Sequence, residues 1–123
     1  MLALLGLIFM VSCGQAPPIE KAETALDGGR YFLESLHQGD IKKAKLYILD
    51  NVDNASIFDS LSKAYFSLDK EGRQQLRLAS IQINEVQEIN KTESIIHYQL
   101  SSDPQKKDLK VVATPDGWRV NLK

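Results

Sequence analysis

The sequence has a single cysteine, Cys13, among its 123 residues. One thiol excludes an intramolecular disulfide and any zinc site built from several cysteines. An excess of charge of one sign is also missing, because 15 Lys and Arg side chains stand against 16 Asp and Glu, a net charge of −1. Without a basic stripe to attract phosphates, we expect no nucleic-acid partner.

Motifs that carry catalytic chemistry are missing as well. The two histidines, His37 and His97, are far apart in sequence and have no acidic residue at ligand spacing, so we expect no metal site. There is no glycine-rich phosphate loop, no Gly-x-Ser-x-Gly nucleophile elbow and no zinc-protease helix. The sequence therefore predicts a protein without a cofactor and favours binding over catalysis.

Long hydrophobic runs are missing too, since the one apolar run covers only residues 2–11. A membrane-spanning helix needs about 20 apolar residues, whereas the apolar region of a secretory signal has about 7 to 15, followed by small residues. Ser12 and Gly14 are such residues and flank Cys13. Residues 15–18 end in two prolines, which favour extended polyproline geometry and predict a stiff tether.

Residues 10–13, with the sequence MVSC, resemble the lipobox of bacterial lipoproteins. The resemblance implies a signal peptide at 1–12, acylation of Cys13 and a lipidated tether at 13–19. Two or more acyl chains hold a protein stably on a membrane, whereas one holds it only marginally. Because Gly14 rather than aspartate follows the cysteine, and no acidic residues lie close behind it, the resemblance implies the periplasmic leaflet of the outer membrane.

Two other interpretations of Cys13 are open. It could be a small core hydrophobe at the end of a buried helix, as free cysteines often are. It could also be a nucleophile, which would need a neighbouring histidine or cation to lower the pKa of the thiol. The glycine and prolines after Cys13 are an unusual continuation of a core helix, and no such neighbour is close in sequence. We therefore favour the lipid anchor.

After the tether, apolar residues recur at spacings of three and four, which predicts helices. Three helices are predicted, over residues 21–38, 41–49 and 55–68. Gly28 and Gly29 lie inside the first, where each glycine costs roughly 1 kcal/mol relative to alanine, so we expect another backbone to pack closely there. Gly39 ends this helix and Asp40 caps the next. The charged stretch 69–75 is loosely helical at best.

From Ser80 onward the apolar period is two, which predicts strands. Val86 falls out of phase with the residues before it, which indicates a β-bulge near Asn84 and Glu85. The remaining strands are predicted at 94–100, at 109–114 after a polar loop over 101–107, and at 118–123 after a Pro-Asp-Gly turn. Their alternation places His97 and Tyr98 on opposite faces, with Trp118 and Val120 inward and Arg119 outward.

Helices followed by an antiparallel meander describe an α+β domain with three N-terminal helices packed on a bent four-stranded antiparallel sheet. Two stretches, FLESLHQGDIKKA (32–44) and DLKVVATPDGWRVNL (108–122), resemble the nuclear transport factor 2-like, or cystatin-like, fold. Together with the lipobox they are similar to small Bacteroidota lipoproteins of unknown function with a lumazine-binding-like domain. The resemblance covers residues 20–123 and implies a conical pocket between the sheet and the first helix.

Enzymes of this fold place an Asp or His inside the cone, often with a Tyr as hydrogen-bond donor. The residues of those types considered for such a role are Tyr31, Asp59, Tyr65, His97 and Tyr98. As ligand-binding residues of the pocket we take Tyr31, Tyr65, Tyr98 and Trp118, although Trp118 and Phe32 also suit core anchors. For His37 and His97 we expect surface or capping roles.

The sequence thus predicts a lipid-anchored cell-envelope protein whose domain binds a small ligand or an envelope protein without catalysis. The membrane is its expected partner through the acylated Cys13. Two alternatives are open: an isomerase or dehydratase acting on a small apolar substrate in the cone, and an inhibitor or immunity-type module. An Asp and a Tyr converging in a pocket would favour the enzyme, and a protruding apolar loop would favour the inhibitor.

Overall fold

The structure, a computed structural model, describes residues 19–123. The predicted signal peptide and Cys13, the predicted site of acylation, lie outside the described residues. The elements in chain order are α1 (Ala25–His37), α2 (Ile41–Leu46), α3 (Val52–Ser67), α4 (Lys70–Leu78), β1 (Ile81–Asn90), β2 (Glu93–Leu100), β3 (Asp103–Thr114) and β4 (Gly117–Asn121). The α+β class and the order of helices before strands are confirmed.

The caps of helix α1 determine where it begins and ends, and its apolar face determines which side is buried. It begins at Ala25, later than the predicted residue 21, because the Thr24 hydroxyl accepts a hydrogen bond from the Asp27 amide at 3.1 Å and acts as N-cap. It ends before Gly39, whose φ of 81° is a left-handed conformation that favours glycine. Its buried side includes Phe32 and Leu33, as the helical period predicts.

The prediction of three helices is wrong, because residues 70–78 form a fourth. Asp69 starts α4 by accepting a hydrogen bond from the Gly72 amide at 2.7 Å, and Arg73 donates to the Leu68 carbonyl at 2.9 Å. No residue of α4 is buried. Leu76 is partly buried and packs against the core, whereas Leu78 is 74% exposed. One such residue gives no apolar period, so periodicity did not predict the helix.

The four strands form an antiparallel meander in the order β1-β2-β3-β4, as predicted. The pairing register of β1 shifts between Ile83 and Glu85, so the predicted bulge at Asn84 is confirmed. Buried and half-buried residues alternate along β2, which puts Tyr98 inside and His97 on the other face.

The predicted polar loop over 101–107 is wrong, because β3 already begins at Asp103. Lys107 pairs with Tyr98 and Asp103 pairs with Leu100, which leaves a short turn at Ser101. This first half of β3 is largely exposed and polar. Main-chain pairing with β2 stabilises this half of β3 without buried side chains. The sequence there therefore shows no apolar alternation from which a strand could be predicted.

The core lies between α1 and the sheet. Helix α1 packs against all four strands, whereas α2 packs against α1, and α3 contributes Phe58, whose ring centroid is 6.3 Å from that of Phe32. A Cβ added at Gly28 would lie 2.9 Å from the Trp118 Cβ and 3.0 Å from its carbonyl oxygen. The predicted close approach of another backbone is confirmed, and β4 supplies it.

Candidate functional site

The segment between α2 and α3 lies along β4 and extends the sheet at that edge. The Val120 amide donates to the Tyr47 carbonyl at 2.7 Å, and the Leu49 amide donates to the Val120 carbonyl at 2.8 Å. Ile48 forms a parallel bridge with Val120. This pairing brings Tyr47, at the end of α2, beside Arg119 of β4.

Asn54 fastens the same segment to the sheet. It is fully buried, donates from Nδ2 to the Leu49 carbonyl at 3.0 Å, and accepts from the Leu122 amide at 2.8 Å. The Asn51 side chain caps α3 by accepting from the Asn54 amide at 2.8 Å. One amide side chain thus joins the start of α3, the segment before it and the end of β4.

Between these three elements lies an open cleft of about 360 Å³, which we call the Arg119 cleft. Its apolar lining comes from Leu46, Ile48, Leu49 and Phe58. Leu46 is 53% exposed, although leucine is a large apolar residue, whereas Ile48 and Phe58 are nearly buried. The cleft therefore has apolar surface that is exposed to solvent.

The charged lining of the Arg119 cleft is balanced. Its side chains are Lys45, Asp50, Asp116 and Arg119. The Arg119 Cζ lies 5.8 Å from the centroid of the Tyr47 ring, within the range of a cation–π contact. Its Nη1 is buried and has no hydrogen-bond partner within residues 19–123. A buried donor without an acceptor costs about 1–3 kcal/mol. Because a buried nitrogen is out of reach of a ligand in the open cleft, a contact with Arg119 there falls to the other donors of the guanidinium.

The ring of Tyr47 packs against the guanidinium of Arg119. Its ring is fully buried, and its hydroxyl donates to the Glu20 carbonyl at 2.9 Å. Burial, followed by the negative charge of Glu20, raises the pKa of Tyr47, so the phenol stays neutral at physiological pH. The guanidinium of Arg119 is permanently charged and transfers no proton. This pair can therefore bind and orient an anion.

The sequence-based prediction placed Arg119 outward in β4 and gave it no function. A lone arginine in an edge strand has no sequence signal that separates a binding group from a solvated one. Tyr47 falls within the second predicted helix, 41–49, and no pattern there indicated its arginine neighbour. Both residues were missed because their contact arises from the pairing of residues 47–49 with β4.

The four predicted pocket residues have different surroundings. Tyr31 lines a second cleft with Tyr47, their ring centroids 5.5 Å apart. Tyr65 is buried against Gly39, and Tyr98 is buried in the sheet. Trp118 packs over α1 and lines a third cleft, beside Val86. Neither the cleft of Tyr31 nor that of Trp118 includes another of the four.

Environment also affects the titration of these tyrosines. Partial burial, followed by the carboxylates of Asp27 and Glu20, raises the pKa of Tyr31. Burial, followed by Asp108, raises the pKa of Tyr98. Both phenols therefore remain neutral hydrogen-bond donors at physiological pH.

His97 and Asp59 both face solvent in part. The His97 Nδ1 lies 2.6 Å from the Asp108 Oδ1, and its Nε2 lies 2.8 Å from the Gln87 Oε1, on the sheet face opposite Tyr98. Asp59 forms an exposed ion pair with Lys63 at 3.1 Å. The expected surface role of His97 agrees with this position.

His37 lies in the last turn of α1, the position expected for a histidine that meets the helix C-terminus, but it is not on the surface. It is 8% exposed, and its Nδ1 has no hydrogen-bond partner within the described part of the chain. A surface role for this histidine is therefore wrong. Burial lowers the pKa of His37, because the charged imidazolium loses hydration.

Two further properties of residues 19–123 bear on the site. No group of three or more His, Cys, Asp or Glu side chains in this range could hold a metal ion. No helix in the same range has both the length and the apolarity that crossing a membrane requires.

Comparison with known proteins gives one structural likeness. No protein-family model matches the chain, and no curated protein matches it. A crystal structure of an NTF-2-like protein of unknown function from Shewanella oneidensis MR-1 superposes with a TM-score of 0.53 at 12% sequence identity, over 77% of this chain and 89% of that one. The chain has the NTF-2-like fold. At this identity the likeness shows the fold alone, because one fold hosts many functions.

Proposed function

We propose that this protein is a lipid-anchored cell-envelope protein whose NTF-2-like domain binds a small ligand in the Arg119 cleft without catalysing a reaction. One observation carries the binding proposal: a permanently charged guanidinium that forms no ion pair within residues 19–123, on a side chain that lines an open and partly apolar cleft. A cleft of about 360 Å³ falls within the size range of small-molecule sites.

The rigid framework of the cleft supports binding. Main-chain hydrogen bonds of Tyr47 and Leu49 fix one wall, and Asn54 fixes another. A site on fixed walls loses little conformational entropy when a ligand enters. Arg119 cannot act as general acid or base, so its part in the cleft is binding rather than proton transfer.

The anchor is the second part of the proposal. The apolar run 2–11 and the MVSC motif end at Cys13, and the described domain begins shortly after, at residue 19. Acylation of Cys13 would hold the domain on the periplasmic leaflet of the outer membrane by a short, proline-containing tether.

Native mass spectrometry of the full-length protein, purified from its own host, tests the binding proposal. We expect a small-molecule adduct on the wild type that is lost in Arg119→Met and in Ala55→Trp, which fills the cleft from an exposed position of α3. Ser56→Trp, at the next and equally exposed position outside the lining, should keep the adduct. A wild type without an adduct, or an adduct that survives both cleft variants, contradicts the proposal.

Labelling with radioactive palmitate tests the anchor. We expect label and membrane sedimentation in the wild type and in Ser12→Ala, and neither in Cys13→Ala. If Cys13→Ala still takes up label and sediments with membranes, the lipid anchor is wrong whatever the outcome of the binding test.

A further inference from the structure

We propose that the ligand of the Arg119 cleft is a small amphiphile with one negatively charged carboxylate-like group and an apolar body. This inference rests on the proposed function, because it names the chemical class of the ligand for the same cleft. It is carried by the charge pattern, the apolar lining and the size of the cleft.

The negative group follows from Arg119. Its planar guanidinium presents paired donors that match a carboxylate in a bidentate contact. Asp50 and Asp116 line the same cleft, yet the ion pairs formed within residues 19–123 do not include Arg119. The charge of the guanidinium is therefore available to a ligand in the cleft.

The limit to one negative charge follows from the rest of the rim. Lys45 adds a second cation to the cleft, whereas Asp50 and Asp116 add two carboxylates. A ligand with two negative charges would meet repulsion from both carboxylates, since like charges disfavour each other at short range. A ligand with a single negative charge meets less of that repulsion and can still pair with the guanidinium of Arg119.

The apolar body follows from the opposite wall. Leu46 is 53% exposed, and Leu49 and Phe58 line the cleft beside it. Covering this surface removes apolar area from water at about 25 cal/mol per Å². The volume of about 360 Å³ equals that of about a dozen water molecules at ~30 Å³ each, which suits a ligand of about ten non-hydrogen atoms.

Three probes of the same shape test the class of ligand: benzoate, benzamide and benzamidinium, which carry a negative, a neutral and a positive head group on one aromatic body. They are titrated into the full-length protein, and binding is followed by the NMR shifts of the Leu49, Ala55 and Arg119 backbone amides. We expect benzoate to bind about tenfold more tightly than benzamide, the gain of one charge-assisted contact, and benzamidinium to bind most weakly.

Variants assign the preference to Arg119. In Arg119→Met we expect the tenfold preference for benzoate to fall to no more than the few-fold share that Lys45 gives, and in Arg119→Lys we expect a larger part of it to remain. Arg77→Met removes an exposed arginine of α4, outside the cleft, and should leave the tenfold ratio unchanged. Lys45→Gln, on the rim, should reduce benzoate affinity a few-fold and provides a cation-removing variant that leaves the Tyr47 contact in place.

The outcomes separate this inference from the proposed function. If benzamide or benzamidinium binds at the cleft amides as tightly as benzoate, the cleft is a binding site and the negative class is wrong. If none of the three probes shifts the cleft amides, both the class and the site are wrong. A tenfold benzoate preference that persists undiminished in Arg119→Met also overturns the inference.

Discussion

At the scale of single residues, the surroundings of two positions in α1 determine how the helix packs on the sheet. Gly28 allows the helix to approach Trp118 more closely than any side chain would permit. His37 fills the other end of the helix as a neutral imidazole, buried without a partner for Nδ1 within the described residues. The lack of space at position 28 favours glycine, and burial at position 37 favours a neutral imidazole.

Gly28→Ala should destabilise the fold by about 1–3 kcal/mol, the usual cost of overpacking a core. Its Cβ would lie 2.9 Å from the Trp118 Cβ and 3.0 Å from the Trp118 carbonyl, which cannot move without β4. Urea unfolding measures the loss. Gly72→Ala is the control, because its Cβ meets only side chains of exposed residues and should be neutral or stabilising. Equal effects of both variants would contradict this prediction.

His37 should make the protein less stable as the pH falls. Burial lowers its pKa in the folded state, so below the unfolded value of about 6.5 the unfolded chain binds a proton that the folded chain excludes. The free energy of unfolding therefore decreases from pH 7.5 to pH 5.5. We expect His37→Gln to show a smaller decrease in urea unfolding than the wild type and His97→Gln. The same slope in all three proteins would exclude His37 as the cause.

At the scale of elements, buried faces stabilise some helices and strands, whereas caps or main-chain pairing stabilise others. Helix α1 and strand β2 are held by buried faces, whereas α4 has no buried residue and is held by the Asp69 cap and by the partly buried Leu76. The first half of β3 depends on main-chain pairing with β2. Elements of the second kind open locally at low free-energy cost because few apolar contacts oppose it.

Asp69→Ala should unfold α4 locally and leave the rest of the domain intact. The loss of an N-cap costs about 1 kcal/mol, which is a large share of the stability of a helix without buried residues. Hydrogen exchange of the α4 amides should become about fivefold faster, since 1 kcal/mol corresponds to that ratio. The midpoint of urea unfolding should move little. Asp40→Ala, at the N-cap of α2, is the control and should leave α4 exchange unchanged.

At the scale of the whole molecule, one buried amide joins parts of the chain that are distant in sequence. Asn54 connects α3 to Leu49 and to Leu122, near the end of the described chain. The Arg119 cleft lies between these parts. The stability of the domain and the shape of its candidate site therefore depend on the same side chain.

Asn54→Ala should cost about 2–4 kcal/mol, because it leaves the Leu49 carbonyl and the Leu122 amide without their partners. Urea unfolding measures this loss, and the benzoate titration should show weaker binding in the same variant. Asn51→Ala removes only the cap of α3 and should cost about 1 kcal/mol. If the two variants cost the same, Asn54 is not the connection that its contacts indicate.

The sequence by itself determined the elements whose side chains alternate between core and solvent. Spacings of three and four predicted α1, and a period of two predicted β2 and the bulge at Asn84, because burial imposes those periods. The two glycines of α1 predicted a close backbone approach, since glycine in a helix is costly unless space demands it. The lipid anchor at Cys13 stays a prediction.

Only the tertiary structure showed the elements and the candidate site that have no pattern of buried residues in the sequence. Helix α4 and the start of β3 lack an apolar pattern because caps and main-chain pairing hold them. The contact of Tyr47 with Arg119 depends on how the segment after α2 pairs with β4. Whether a hydrogen-bond donor has an acceptor is a property of its surroundings in space, so no local pattern could identify Arg119 as the residue with a binding capacity to spare.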